Sequence, residues 1–197
     1  MQFTCPLILA SGSPRRKNLL KQLGIKFTIH VSDVEEDFDP AQSSADIASA
    51  IAERKCAAIS PQHPDGLTLA ADTIVVHHGE VLGKPASPVE AKTMLRRLAG
   101  QQHLVYTGIA LSHPASNRSV TACEETAVHF APLSDAEIDA YVASGSPLDK
   151  AGAYGIQDDR GALFVSRIEG DFYNVVGLPL HLLYTALKTN FADLITT

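Results

Sequence analysis

The sequence predicts an α/β fold with a mixed β-sheet, and three observations lead to that class. Short apolar runs typical of buried strands alternate with segments whose apolar residues recur at helical spacing. Several helical segments begin with Ser followed three residues later by an acidic residue, which is a capping pattern. Turn-rich segments also separate neighbouring strands directly, so hairpins occur beside helix-linked strands and the sheet should contain both parallel and antiparallel pairs.

The first half of the chain predicts strands and helices in alternation, followed by a hairpin. Leu7–Ala10 is apolar and ends in a Ser-Gly-Ser loop, after which Pro14 opens a helix that closes before Gly24. Ser43 and Asp46 form a capping pattern at the start of a second helix. The expected elements are strands at 7–10, 27–31, 67–76 and 80–82 and helices at 14–23 and 43–59.

The second half of the chain repeats the alternation of helices and strands. Ser87 occupies the N-cap position of a helix that stops at Gly100, and Ser134 with Glu137 caps the next helix. A long loop with few core-forming residues lies at 147–157. The remaining expected segments are strands at 103–111 and 120–129, apolar segments at 162–168 and 173–176, and a last helix opened by Pro179.

Composition bounds the class of protein and its surroundings. A chain of 197 residues that is 45% apolar can bury a sizeable core, and we expect a single domain over residues 1–197. The three cysteines lie far apart without a C-x-x-C pair, so neither a disulfide framework nor a zinc site is expected. A net charge of −6 excludes the basic footprint of a nucleic-acid binder. With no apolar run of about 18 residues and no basic leader, we expect a cytoplasmic protein without a membrane partner.

The segment Ser11-Gly12-Ser13-Pro14-Arg15-Arg16 is the most specific local signal in the chain. It follows a buried strand and forms the first turn of a helix, where backbone N–H groups and the helix dipole favour an anion. Two arginines at that end oppose the dipole, at a cost of roughly 0.3–1 kcal/mol each, unless a polyanion binds there. The segment therefore indicates an anion site, and the alternative is an ordinary loop with two solvated arginines.

Asp72 follows the apolar strand Leu67–Ala71 directly. The carboxyl ends of strands line the ligand crevice of open α/β sheets, so this carboxylate is a candidate for the crevice beside the Pro14 helix. Residue 78, in the His-His-Gly turn, is midway between 72 and 84, which predicts that Lys84 lies nearly opposite Asp72 on the neighbouring strand. The alternative is a capping or turn aspartate.

An acidic run and a lysine complete the candidate site. Glu35 and Glu36 lie between Asp33 and Asp37, and oxygen-rich clusters near a phosphate site suit Mg²⁺ or Mn²⁺. The alternatives are a solvated acidic face for the run and a solvated side chain for Lys55 on the second helix. The sequence lacks the signatures of Walker-type NTPases, Rossmann enzymes, zincins and serine hydrolases.

Six motifs lie in order along almost the whole chain. They are Leu-Ala-Ser-Gly-Ser-Pro-Arg-Arg at 9–16, Val-Glu-Glu at 34–36, Ala-Asp-Thr at 71–73, Gly-Lys-Pro at 83–85, Asp-Lys-Ala-Gly-Ala-Tyr-Gly-Ile-Gln at 149–157 and Val-Gly-Leu-Pro at 176–179. Together they resemble the Maf-like nucleotide pyrophosphatases. The resemblance implies a Maf/ITPase-like fold, with a mixed β-sheet flanked by helices and a cleft between two lobes. It also implies a homodimer, and metal-dependent hydrolysis of a nucleoside triphosphate to the monophosphate and pyrophosphate.

The resemblance further implies roles for individual residues. Asp72 matches the family's proton acceptor, and with Glu36 it would hold a divalent metal cation, Mg²⁺ or Mn²⁺. Arg15, Thr73 and Gln157 match positions tied to substrate choice. The other residues expected to bind substrate are Ser11, Arg16, Lys55 and Lys84.

Within the family, one branch prefers dTTP and UTP and another prefers 7-methyl-GTP. Pro-Arg-Arg at 14–16, Ala-Asp-Thr at 71–73 and Tyr-Gly-Ile-Gln at 154–157 are similar to the first branch, whereas the second carries a Trp after the proline and Ser-Asp-Gln. Val-Tyr-Thr-Gly at 105–108 is closer to the second branch. We therefore expect a dTTP/UTP pyrophosphatase, with 7-methyl-GTP as the alternative substrate.

A different class of function stays open from the sequence. The resemblance also implies a link to inhibition of septum formation, which suits a regulatory module that senses a nucleotide without turning it over. Such a module needs cations to bind phosphates, but it needs no base. The predicted pairing of Asp72 with Lys84 therefore favours the enzyme.

Overall fold

The computed structural model describes residues 1–157 and 160–196, and it has an α/β fold. Its strands are β1 (Gln2–Phe3), β2 (Leu7–Leu9), β3 (Thr28–Ile29), β4 (Leu67–His77), β5 (Glu80–Leu82), β6 (Gln102–His113), β7 (Arg118–Phe130), β8 (Val165–Glu169) and β9 (Ile195–Thr196). Its α-helices are α1 (Pro14–Gln22), α2 (Ser44–Ile59), α3 (Pro88–Leu98), α4 (Asp135–Val142), α5 (Gly161–Phe164), α6 (Phe172–Val176) and α7 (Leu180–Asn190). Short 3₁₀ turns connect several of these elements.

The main sheet has the strand order β3-β2-β4-β6-β7-β8, and β5 pairs with β4. β2 runs parallel to β3 and β4, whereas the β4–β5 and β7–β8 pairs are antiparallel. The predicted α/β class with a mixed sheet is therefore confirmed. β1 and β9 form a separate antiparallel pair, which no sequence pattern predicted.

The chain divides into two compact units. The first consists of Met1–Asp72, Thr107–Glu124 and Gly177–Thr197, and the second of Thr73–Tyr106 and Glu125–Val176. β4, β6 and β7 each supply residues to both units. None of the described helices is long and apolar enough to cross a membrane.

In the first unit α2 packs closely on the sheet because the facing residues are small. A Cβ built on Gly108 of β6 would lie 2.3 Å from the carbonyl oxygen of Ala48, so this strand position admits no side chain. Residues of α2 also share a buried apolar cluster with the sheet. The cluster consists of Ile8, Ala10, Ala52, Cys56, Ile59, Ala70 and Ala110. This packing fixes the position of α2, which carries Lys55 about two turns beyond Ala48.

Local signals place α1 where the sequence predicts it. Ser13 is the N-cap, and its Oγ accepts a hydrogen bond of 3.4 Å from the backbone N–H of Arg16. The helix terminates before Gly24, which has a φ of 66° and donates its N–H to the Lys21 carbonyl at 2.9 Å. Left-handed backbone at this position is typical of a glycine C-cap. Only the four residues 10–13 lie between the carboxyl end of β2 and the first turn of α1.

In the second unit the β4–β5 hairpin closes through His78 and Gly79. Their φ angles are 51° and 79°, and positive φ at both central residues is typical of a type I′ turn. His77 pairs with Glu80 across this turn. The hairpin is therefore centred between residues 78 and 79, not on residue 78.

This turn changes the pairing expected for Lys84. Carried past Leu82, where β5 ends, the observed register places Lys84 level with Thr73. Lys84 therefore lies one residue away from the position opposite Asp72, near the predicted pairing but not at it. The cause is the two-residue turn, since the sequence argument counted a three-residue turn around residue 78.

The later elements follow the prediction with local differences. Ser134 and Glu137 form a full capping box at the start of α4, as predicted. The apolar segment 162–168 begins in the helical turn α5 and becomes extended only in β8. The segment 173–176 is part of α6. The loop 147–157 contains two short 3₁₀ turns.

Candidate active site

Asp72 lies in β4, at the end of the first of the three segments that form the first unit, and its side chain is buried. Its Oδ1 accepts a hydrogen bond of 2.6 Å from Nζ of Lys55. Lys55 lies on α2 and is also buried, so it is not the solvated lysine that the sequence alone left open. Since an isolated buried charge is strongly disfavoured, the Lys55 ammonium stabilises the ionised form of Asp72.

Glu36 brings a second carboxylate to the same ammonium. Lys55 Nζ donates to Glu36 Oε1 at 2.7 Å, and the Glu36 side chain is 51% exposed. Glu36 lies between β3 and α2, in a segment without regular structure. One ammonium therefore joins a buried and a half-exposed carboxylate that come from different parts of the chain.

The first turn of α1 contributes two arginines in different surroundings. Arg16 is buried, and its Nε donates to the Gly177 carbonyl at 2.7 Å while Nη1 donates to Ser11 Oγ at 3.1 Å. Ser11 Oγ also accepts the backbone N–H of Ser13 at 3.2 Å. Arg15 is only partly buried. Arg16 thus connects the Ser11–Arg16 segment to Gly177, and Arg15 has the greater access to solvent.

Electrostatics set the protonation of Asp72. Burial is the largest influence and raises the pKa of Asp72 above 3.8, while the charges of Lys55 and Arg16 lower this pKa and Glu36 raises it. Burial also lowers the pKa of the Arg16 guanidinium. A carboxylate with a raised pKa is a better proton acceptor than a solvated one. Such a group beside buried cations is typical of a functional site.

The donor atoms also fit a hard divalent cation. Glu36 and Asp72 supply carboxylate oxygens that already converge on one positive charge, Lys55 Nζ. Among residues 1–157 and 160–196, no group of three or more His, Cys, Asp or Glu side chains could hold a metal ion. Mg²⁺ commonly binds through one or two carboxylates and takes its other ligands from water and substrate phosphates. The carboxylates of Glu36 and Asp72 are therefore suitable protein ligands for Mg²⁺ or Mn²⁺, with a substrate phosphate as a further ligand.

The second unit carries the other three predicted site residues. Thr73 follows Asp72 in β4 and is partly buried, whereas Lys84 and Gln157 are exposed. The Gly152 N–H donates to the Gly83 carbonyl at 3.1 Å, which links the loop of Gln157 to the residue before Lys84. Within the first unit, in contrast, Lys55 contacts Glu36 and Asp72, and Arg16 contacts Ser11. The charge of Arg16 also acts on Asp72, and Arg15 is the neighbour of Arg16 in the chain.

Three contacts around these residues were not predicted. The Gly177 carbonyl accepts from Arg16, and Arg54 pairs with Asp37. In the second unit, Lys150 is buried and donates to Asp149 Oδ1 at 2.6 Å and to the Ser146 carbonyl at 2.6 Å. Gly177, Asp149 and Lys150 lie in motifs that carried the resemblance, whereas Arg54 and Asp37 lie outside them.

Comparison with known proteins places the chain in a family. The model of the family described as Maf-like protein matches residues 6–190. A Salinibacter ruber protein named dTTP/UTP pyrophosphatase is 53% identical over 195 residues, covering 99% of this chain and 96% of the relative. Relatives of the same name from Symbiobacterium thermophilum (53% identical, 89% of each chain) and Bacillus cereus (50% identical, 92% of this chain and 94% of the relative) also match. The chain belongs to the Maf-like family, as its motifs predicted.

Solved structures resemble the chain in fold. The Ham1 protein of Staphylococcus aureus has a TM-score of 0.52 at 17% identity, covering 93% of this chain and 98% of that one. A HAM1 protein from Coxiella burnetii has a TM-score of 0.53 at 18% identity, covering 94% and 100%. These identities support the α/β fold alone.

We predict that Lys55→Met raises the pKa of Asp72 further, because burial and Glu36 still disfavour the carboxylate when the ammonium is gone. The measurement is a carbon-detected NMR titration of the Asp72 carboxyl group. Lys92→Met is the matched control, since Lys92 pairs with the exposed Asp139 at 2.6 Å in the second unit and its loss should leave Asp72 unchanged. A wild-type pKa at or below 3.8 for Asp72 would contradict the electrostatic account.

Proposed function

We propose that the protein hydrolyses dTTP and UTP to the nucleoside monophosphate and pyrophosphate. The observation that carries this proposal is the buried Asp72–Lys55 pair, which gives a family member a base beside a cluster of cations. The hydrolase class predicted from the sequence is confirmed by relatives 50–53% identical that are named dTTP/UTP pyrophosphatase. Which triphosphate this chain selects is the finer part of the proposal.

Asp72 acts as the general base in this reaction. A water molecule attacks the α-phosphorus, a new oxygen–phosphorus bond forms, and the water proton passes to the Asp72 carboxylate. The bond between the α-phosphorus and the bridging oxygen breaks, and its electron pair leaves with pyrophosphate. The ionised form of Asp72 is required, and Lys55 and Arg16 favour that form.

Cations hold the triphosphate and offset the charge that develops on it. Arg15 lies on the first turn of α1, where the helix dipole also favours a phosphate. The family resemblance assigns Lys84 to substrate binding as well, and a hydrogen bond of 3.1 Å from Arg16 Nη1 to Ser11 Oγ orders the segment before α1. Fixed charges of this kind stabilise developing negative charge without reorganisation.

Glu36 and Asp72 would hold the divalent cation, Mg²⁺ or Mn²⁺. When bound, the cation polarises a phosphoryl oxygen and lowers the pKa of water. Lys55 keeps both carboxylates directed to one place before the cation binds, because its ammonium contacts each of them.

Gln157 is the residue proposed to select the base. Its side-chain amide donates and accepts side by side, which matches the N3–H and O4 edge of uracil or thymine. The loop of Gln157 contains left-handed backbone at Gly152 and Ala153, with φ of 68° and 62°. Arg15 and Thr73 are the other positions proposed to influence substrate choice.

We predict that Asp72→Asn lowers kcat by about 10²–10⁴-fold and leaves triphosphate affinity within a few-fold, because the change removes a base and keeps the shape. Release of pyrophosphate from UTP, detected as phosphate with and without added inorganic pyrophosphatase, measures the effect. Asp65→Asn is the matched control, since Asp65 is an exposed turn residue just before β4. Retention of more than about a tenth of the wild-type kcat would remove Asp72 from the role of base.

We predict that the wild type prefers dTTP and UTP over ATP, GTP and 7-methyl-GTP by at least about tenfold in kcat/KM, and that Gln157→Glu erodes this preference. A nucleotide base without this donor and acceptor leaves one group of the Gln157 amide without a hydrogen bond, which costs roughly 1–3 kcal/mol of binding free energy. Gln102→Glu makes the same change at an exposed position of β6 and should leave the preference intact. Equal rates on purines and pyrimidines would contradict the assignment, and a preference for 7-methyl-GTP would favour the alternative that the Tyr106 segment suggested.

A further inference from the structure

Consecutive cations on α2 pair with consecutive carboxylates of the preceding segment. Lys55 binds Glu36 at 2.7 Å, and the neighbouring Arg54 binds the neighbouring Asp37. Arg54 Nη1 donates to the Asp37 carboxylate, and Nη2 donates to the backbone carbonyl of the same residue. Arg54 therefore holds both the side chain and the backbone of the residue next to Glu36.

The segment at 30–43 depends on such contacts for its path. It contains no helix or strand, so no backbone ladder fixes its position. A local turn forms at its far end, where Asp39 accepts the N–H groups of Ala41 and Gln42. Glu36 itself is 51% exposed, so burial does not hold its side chain in place. Contacts with α2, from Lys55 to Glu36 and from Arg54 to Asp37, therefore help to order residues 36 and 37.

We propose that Arg54 is a positioning residue, which holds the backbone at Asp37 so that the Glu36 carboxylate lies beside Lys55 and Asp72. The inference rests on the proposed function, in which Glu36 serves the reaction. A planar guanidinium can bridge a carboxylate and a carbonyl with two N–H groups in a fixed fork, whereas a lysine ammonium cannot reproduce that geometry. The role is therefore specific to arginine at this position.

A second surface pair offers a matched control. Arg96 binds Asp135 at 2.7 Å in the second unit. The side chain of Arg96 is 50% exposed and that of Asp135 is 72% exposed. The corresponding values for Arg54 and Asp37 are 40% and 73%. Exposed ion pairs contribute little to stability in general. Loss of either arginine should therefore leave the folded protein intact, and only loss of Arg54 should affect the reaction.

The first experiment measures kcat and KM for UTP in variants of this contact. Arg54→Met should lower kcat/KM by between about 10- and 100-fold, the range expected when a reacting group is displaced by about 1 Å. Arg54→Lys should recover only a minor part of this loss. Asp37→Asn should stay close to wild type, because both acceptor oxygens remain, and Arg96→Met should equal wild type. A loss in Asp37→Asn as large as in Arg54→Met would show that charge, not position, matters and would overturn the proposal.

A double-mutant cycle separates positioning from direct binding of substrate. If Arg54 acts through Glu36, then Arg54→Met should cost nothing further in a Glu36→Gln background. An Arg54 that contacts phosphate, or that merely supports the fold, would give the same loss in both backgrounds. Full additivity in this cycle therefore overturns the proposal.

Hydrogen exchange tests, without any substrate, whether Arg54 orders the segment that contains Glu36. Amides of residues 33–40 should exchange faster in Arg54→Met than in wild type or Arg96→Met, while the rest of the chain is unchanged. Unchanged exchange at 33–40 would overturn the proposal. If the wild type failed to hydrolyse UTP, the proposed function would fail, and the exchange result would still decide whether Arg54 orders the segment of Glu36.

Discussion

The site of the first unit depends on the two contacts that the Lys55 ammonium makes. This ammonium binds the buried carboxylate of Asp72 at 2.6 Å and the half-exposed carboxylate of Glu36 at 2.7 Å. Removing one partner of a buried ion pair typically costs about 3–5 kcal/mol, because the other charge is left without compensation. The same ammonium connects β4, α2 and the segment that precedes α2. Its loss would therefore change both the charge balance of the site and the contacts between these three segments.

Opposing influences on Asp72 make this centre suitable for catalysis. Burial raises its pKa, which makes the carboxylate a better proton acceptor, while Lys55 and Arg16 favour the ionised form that can accept the proton. The fold maintains both conditions. Gly108 lets α2 approach the sheet closely enough to bury Lys55, and the Gly177 carbonyl holds the Arg16 guanidinium at 2.7 Å. The pKa of Asp72 is thus set by residues from distant parts of the sequence.

Local sequence signals predicted the helices and strands of the fold, but they could not predict contacts between residues far apart in the sequence. The start of α1 at Pro14 and the capping box at Ser134 follow from a few neighbouring residues, and the structure confirms both. The register of Lys84 differs by one residue from the predicted pairing because it depends on φ angles in the turn, which composition does not determine. One partner of Arg16, the Gly177 carbonyl, is 161 residues away, so no local pattern could indicate it. Sequence reasoning alone would also have left Lys55 in solvent, and only the family motifs assigned it to the site.

The central proposal is that water attacks the α-phosphorus of the triphosphate. Hydrolysis of UTP in ¹⁸O-labelled water, followed by mass spectrometry of both products, tests this proposal most directly. We expect the label to appear in the phosphate of UMP and pyrophosphate to carry none. Label in pyrophosphate would contradict it, because water would then have attacked the β-phosphorus, and so would orthophosphate as the first product.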